Sequence, residues 1–247
     1  MIKHVVFDFF GTLATYTDGV LSGRCDRSLR VLVDLGVTMP GDEFLSRWQA
    51  TFDEMETDAE RGLHEYSMVD AGERFLASQG VHAAADDVAR FVSAYIDDWN
   101  VGIALLPKLD AWLAALPFGK SIVSNTHEAD LVPNHLRAGG VDSAFETITV
   151  SVAHGMRKPH PDIYASHLAR LGLEASEVAF VGDNLRCDYL GPRGMGMRAY
   201  LIAPKPVDGV PEAHRISHLF GLADRLAERL ADRLANRLAL ADRPPTA

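Results

Sequence analysis

The chain has 247 residues, 47% hydrophobic and 8% aromatic, an ordinary globular composition with room for one large domain or a core plus a smaller lobe. Its 24 basic and 34 acidic side chains leave a net charge of −10 and no basic cluster, which excludes nucleic acid and anionic membrane as expected partners. No run approaches the roughly 18 uninterrupted apolar residues of a membrane span, and Cys25 and Cys187 lack CxxC spacing, so a soluble cytoplasmic protein without a zinc site is expected.

The first expected element is the apolar run Val5–Phe9, a buried strand that carries Asp8 and drops into the turn Gly11-Thr12. Because this run begins at once and holds an acid, it reads as neither a signal nor a transit peptide. Residues 15 to about 105 follow without a strand run. They hold amphipathic segments near 22–35, 41–60, 66–79 and 85–99, with Leu29-Leu32-Val33 and Phe44-Trp48-Phe52 at helical spacing. Such an insert directly after the first strand is expected to form a helical lobe over the strand ends.

Beyond it, β-branched runs at Ser121–Ser124, Thr147–Val150, Val178–Gly182 and Ala199–Ile202 alternate with helical patterns at 109–116, 131–136 and 163–171. Alternation of this kind implies an α/β fold, a Rossmann-like parallel sheet covered on both faces, with its ligand site at the carboxyl ends of the strands. Asp8, Ser124 and Asp183 all fall at such ends. The expected division is a core of residues 1–14 and 106–220, a helical cap over 15–105, and a helical extension over 221–247. In the extension, leucine recurs at 222, 226, 230, 234 and 238. A period of 4 overshoots 3.6, so the stripe drifts by about 40° per unit. A solvated helix is the expectation, with an oligomer contact as its alternative.

Four pieces stand in order: Asp8 in "DFFGTL", Ser124 in "SIVSNT", Lys158 in "GMRKPHPDIY", and Asp183 with Asp188 in "VGDNLRCD". Each has a plainer reading. Asp8 and Asp183-Asn184 can form turns, Thr12 and Ser124-Asn125 can cap helices, and Lys158 can lie on the surface. Order and context together resemble the haloacid dehalogenase superfamily over about residues 3 to 220, and the helical insert matches that superfamily's first-position cap.

The resemblance implies a hydrolase in which Asp8 is the nucleophile and forms a covalent aspartyl intermediate. It implies that Thr12 and Ser124 contact the transferring group and that Lys158 neutralises charge as nucleophile and substrate meet. Mg²⁺ would be held by Asp8, the Phe10 carbonyl and Asp183, with Asp188 supporting the metal's water or Lys158. Gly11, Asn125, His127, Arg47 and the Phe10 side chain complete the expected substrate contacts. Arg61, His64 and Tyr66 are further polar residues of the insert that could face the site.

Phe10 departs from the pattern. Phosphatases of the family carry an aspartate there, which protonates the leaving oxygen; losing such an acid typically costs about 10²–10⁴-fold. The leading expectation is a Mg²⁺-dependent phosphatase acting on a small phosphorylated metabolite that leaves easily or finds its acid elsewhere, with His127 and His64 as the nearest candidates. The alternative is a 2-haloacid dehalogenase, whose halide needs no proton. A third is a module that binds a phosphorylated ligand without turnover.

Overall fold

A computed structural model describes residues 1–16 and 25–227. Strand β1 (His4–Phe7) leads through the turn at Gly11 into β2 (Ala14–Tyr16). Four helices follow: α1 (Asp26–Asp34), α2 (Gly41–Gly62), α3 (Met68–Ser78) and α4 (Ala85–Asn100). After β3 (Ile103–Leu105), strands and helices alternate through α5 (Leu109–Ala115), β4 (Gly119–Ser124), α6 (Leu131–Ala138) and β5 (Thr147–Val150). Then come α7 (Ser151–His154), α8 (Pro161–Leu171), β6 (Val178–Gly182), α9 (Gly191–Gly194), β7 (Arg198–Ile202) and β8 (Arg215–Ile216).

Six strands form one parallel sheet in the order β5-β4-β1-β6-β7-β8, the Rossmann-like α/β architecture. Burial on both faces explains the unbroken apolar runs. Successive side chains of a strand point to opposite faces. Val5, Phe7, Ala179 and Val181 accordingly pack with α5 and α6 residues such as Leu113 and Leu136, while Val6, Val178 and Phe180 pack with Ile163 and Tyr164 of α8. Phe7 pairs with Ile122 on one side and Val181 on the other. Asp8 is therefore level with Val123 and Gly182, and Ser124 and Asp183 sit one residue further along the neighbouring strands.

The four helices after β2 have a core of their own around Phe44, Trp48, Phe75 and Phe91, separate from the clusters on the sheet. The expectation of an insert without strands is corrected at its two ends. Ala14–Tyr16 and Ile103–Leu105 pair as an antiparallel ribbon through which the chain enters and leaves the helices. At three residues each, these strands are too short to show a period. The expected solvated tail is corrected at its start as well: Leu222 and Leu226 are buried in the sheet's core. Residues 228–247, which hold most of the leucine repeat, lie outside the described residues, as do 22–24 of the first expected helix. Among the described residues no helix is long and apolar enough to cross a membrane.

Candidate active site

Asp8 follows the last residue of β1, and its N–H donates to the Val181 carbonyl at 2.9 Å, which fixes it to the neighbouring strand. The turn after it closes through Thr12, Leu13 and Ala14 N–H groups that converge on the Phe9 carbonyl, and Gly11 N–H donates to Ala14. Gly11 adopts φ 80°, a left-handed conformation that disfavours any residue with a Cβ. A Cβ there would also run into the Asp183 carboxylate. The sequence thus uses glycine where the turn after Asp8 must let the acid at the end of β6 come close.

Lys158 reaches this point from the loop before α8. Its Nζ donates to Asp8 Oδ1 and to Asp188 Oδ1, both at 2.7 Å, and its side chain is 2% exposed. Burial favours the neutral amine, but Asp188 and Asp8 outweigh it and hold Lys158 protonated, well above its ordinary value. Asp188 is pushed up by burial, with the Lys158 ammonium opposing the rise. Asp183 is pushed up to about 6 by burial and then by Asp8. Carboxylate oxygens of Asp8, Asp183 and Asp188 lie within 4.8 Å of one another.

This donor set fits a hard divalent cation: it offers oxygen ligands alone, and it holds the exposed Asp183 carboxylate close to a second acid, Asp8. Asp188 was expected in the metal site as support for the metal's water or for Lys158. Its two oxygens are already engaged, Oδ1 by Lys158 and Oδ2 by the Asn184 N–H at 2.9 Å, so it orients Lys158 and the β6 turn.

Two hydroxyls complete the pocket. Ser124 Oγ and Thr12 Oγ1 are buried and have no hydrogen-bond partner among the described residues. A buried hydroxyl without a partner is costly, so two of them, one in the turn after Asp8 and one at the end of β4, suit oxygens of a bound anion. Asn125 was expected to touch substrate. Its side chain lines the cavity beside Phe10 and grips the Lys158 backbone, accepting from the N–H at 2.8 Å and donating to the carbonyl at 3.0 Å. It sets the lysine in place from 33 residues away.

The helical insert is stitched to the core beside these loops. Met68 N–H donates to the His127 carbonyl, Glu65 N–H to Gly155, and Arg157 N–H to Leu63. Glu65, with a fully buried side chain, accepts from Ser151 Oγ at 2.6 Å and faces Arg157 and His127. The His127 ring stacks on Tyr66 at 4.1 Å. Arg186 spans to Glu60 of α2 at 2.5 Å. None of these seam contacts carries a signal in the sequence.

Three other expected residues stay away from this centre. Arg47 is corrected: its guanidinium pairs with Glu43 one turn earlier and with Gln79, on the outer side of α2. Arg61 pairs with Asp58 in solvent. His64 forms a bridge to Met156, and its side chain lines a separate surface hollow with Met55 and Arg74. His127 and Phe10, by contrast, line one cavity with Tyr16, Tyr95 and Trp99.

A family model described as haloacid dehalogenase-like hydrolase matches residues 2–196. Human haloacid dehalogenase-like hydrolase domain-containing protein 3 is 38% identical over 96 residues, which cover 35% of this chain and 38% of that protein. The alignment thus spans well under half of that relative. The ribulose-1,5-bisphosphate 5-phosphatase of Halopiger xanaduensis is 25% identical over 215 residues, 86% of this chain and 90% of that one. The structure of a 2-haloacid dehalogenase from Pseudomonas syringae superposes with a TM-score of 0.69 at 23% identity, covering 92% of this chain and 99% of the other.

Proposed function

Because the chain belongs to the haloacid dehalogenase-like hydrolases, we propose that it is a Mg²⁺-dependent phosphatase acting on a small phosphorylated metabolite. The observation that carries this reading is the Asp183 carboxylate beside Asp8, a costly pairing of acids that cation binding relieves. Removing a halide calls for no such pair. The relative from Halopiger xanaduensis, named as a phosphatase over nearly its whole length, supports the same choice.

In this reading an Asp8 oxygen attacks phosphorus while the bond from phosphorus to the leaving oxygen breaks, and the leaving group departs with that electron pair. Water then attacks the aspartyl phosphate and the new P–O bond breaks, which restores the carboxylate and releases inorganic phosphate. Lys158 offsets the charge of nucleophile and phosphoryl group, while Ser124 and Thr12 donate to phosphoryl oxygens. Asp8, Asp183 and the Phe10 carbonyl would hold Mg²⁺, which would supply further charge neutralisation. The helices between the ribbon strands act as the cap, and Phe10 leaves the departing oxygen without the usual acid. One observation favours dehalogenation as the second reading: that aromatic residue at position 10.

Phosphate release from a panel of monoesters, and halide release from 2-haloacids, measured with Mg²⁺ and with chelator, tests the proposal. Phosphate should appear with Mg²⁺ alone and vanish in Asp8→Asn. Halide release that persists in chelator would overturn it.

A further inference from the structure

Beside the nucleophile turn lies a half-enclosed cavity of about 230 Å³, walled by Phe10, Tyr16, Phe52, Tyr95, Ile96 and Trp99. It belongs to the reaction centre by position, since Phe10 is two residues past Asp8 and its neighbouring wall residue Asn125 directly follows Ser124. The rings meet in a corner: Phe10 lies nearly parallel to Tyr16 at 6.0 Å, and Trp99 stands steeply against both, 5.4 Å from Phe10. Tyr95 and Trp99 lie one turn apart on α4, whose Phe91 and Val92 are buried in the insert's own core.

The cavity's polar groups are largely engaged inside the protein. Asn125 holds the Lys158 backbone, Thr126 Oγ1 bonds Glu128, and His127 Nδ1 sits at the Tyr66 carbonyl and Glu65. Among the described residues neither lysine nor arginine lines it, and its acid is Glu128. A substrate bearing a second phosphate or a carboxylate on its leaving portion would find no cation here and would face an acid. Size points the same way. An apolar cavity of roughly 150 Å³ takes a benzene ring, so this one holds a single ring with small substituents.

Resting on the phosphatase reading above, we infer that the leaving portion of the substrate is an uncharged, apolar ring seated in this cavity. Aromatic walls supply dispersion and edge-to-face contacts to such a group. A phenolic ring also departs as a stabilised anion, which is the chemistry that a site without an acid at position 10 can support.

The test uses the full chain with Mg²⁺ and two measurements. Steady-state hydrolysis is compared for phenyl phosphate, benzyl phosphate, glycerol 1-phosphate, phosphoserine and phosphocholine. Phenyl and benzyl phosphate should share a KM at least about tenfold below the other three, with benzyl phosphate slower in kcat because its leaving group is an alkoxide. Trp99→Ala should reduce that advantage to near unity. Ile96→Arg should shift preference towards phosphoserine by placing a cation in the wall. Calorimetry with phosphonates that are not hydrolysed forms the second measurement, with benzylphosphonate expected at least about tenfold tighter than carboxymethylphosphonate. Absence of turnover for every ester, with that difference in binding intact, would refute the phosphatase reading and uphold the cavity's role. A preference for phosphoserine, glycerol 1-phosphate or phosphocholine, or equal affinity for both phosphonates, would overturn the inference.

Discussion

Replacing Lys158 by methionine removes the cation that bridges two buried carboxylates while keeping most of the side-chain stem. Asp8 and Asp188 each accept from its Nζ at 2.7 Å, with side chains 9% and 1% exposed. Breaking a buried pair in this way typically costs about 3–5 kcal/mol, a large share of the roughly 5–15 kcal/mol that keeps a domain folded. The loss should depend on pH in a defined direction. Without the ammonium, burial acts unopposed on Asp188 and raises its folded-state pKa above the unfolded value of about 3.9. The folded variant then holds a proton that the unfolded chain releases. Relative to wild type, whose Asp188 is itself pushed up, the deficit should therefore shrink as pH falls through the interval between the two folded-state values, by up to about 1.4 kcal/mol per unit. Adding Asp188→Asn removes the orphaned charge, so the double variant should be more stable than Lys158→Met by about 1–3 kcal/mol near pH 7.5. Urea unfolding in chelator at about pH 7.5 and about pH 5.5 measures both effects. Strictly additive substitutions, or a deficit that grows on acidification, would refute the reasoning.

His167 should make the core sensitive to acid. It is buried with its ring nitrogens 2.8 Å from Ser121 and Thr149, and burial, then His4 and Arg170, lowers it to about 3. Its folded pKa lies below the unfolded 6.5, so the unfolded chain takes up the proton first and stability falls below about pH 6.5, by about 2 kcal/mol near pH 5. Unfolding free energies of wild type and His167→Gln should converge on acidification; parallel curves would count against this. Gly11→Ala should abolish Mg²⁺ binding by calorimetry, because the new Cβ meets Asp183 in a backbone conformation that already disfavours it. Phe10→Asp should speed alkyl phosphates more than aryl ones, flattening a plot of log rate against leaving-group pKa, by up to about 10² at the alkyl end. A wild-type plot that is already flat would show that another residue, His127 first, supplies the acid.

Most of the sheet was legible because parallel strands buried on both faces must be apolar throughout. Thr147–Val150 and Val178–Gly182 appear with the ends that their composition suggests. Strands of two or three residues, such as Arg215–Ile216 and the ribbon pair, are decided by tertiary pairing and leave no period to read. The acids and Lys158 could be found because each terminates a strand or stands in a fixed order. Asn125 was placed near the centre, but its attachment to Lys158 depends on how two loops meet. Arg47 misled because a polar helical residue does not announce its partner: Glu43 and Gln79 engage it on the far side of the helix. Nothing in the sequence marks Tyr95 and Trp99 as a cavity wall, since a cavity wall and a core face share the same i,i+4 spacing.

Phe10 links these threads. Its backbone belongs to the turn after Asp8, and its ring meets Phe9 at 4.8 Å, Tyr16 at the ribbon and Trp99 on α4. An aspartate at this position would supply an acid to the leaving oxygen but would bring a charge among three aromatic neighbours, in a cavity that no lysine or arginine lines among the described residues. A phenylalanine forgoes the proton and joins the catalytic turn to the helical insert through ring packing. The two consequences favour the same substrate. A leaving group stable enough to depart without a proton is one whose charge is delocalised, and a delocalised ring is what an aromatic wall binds best. Chemistry and recognition thus converge on one side chain, and a change there should alter rate and selectivity together.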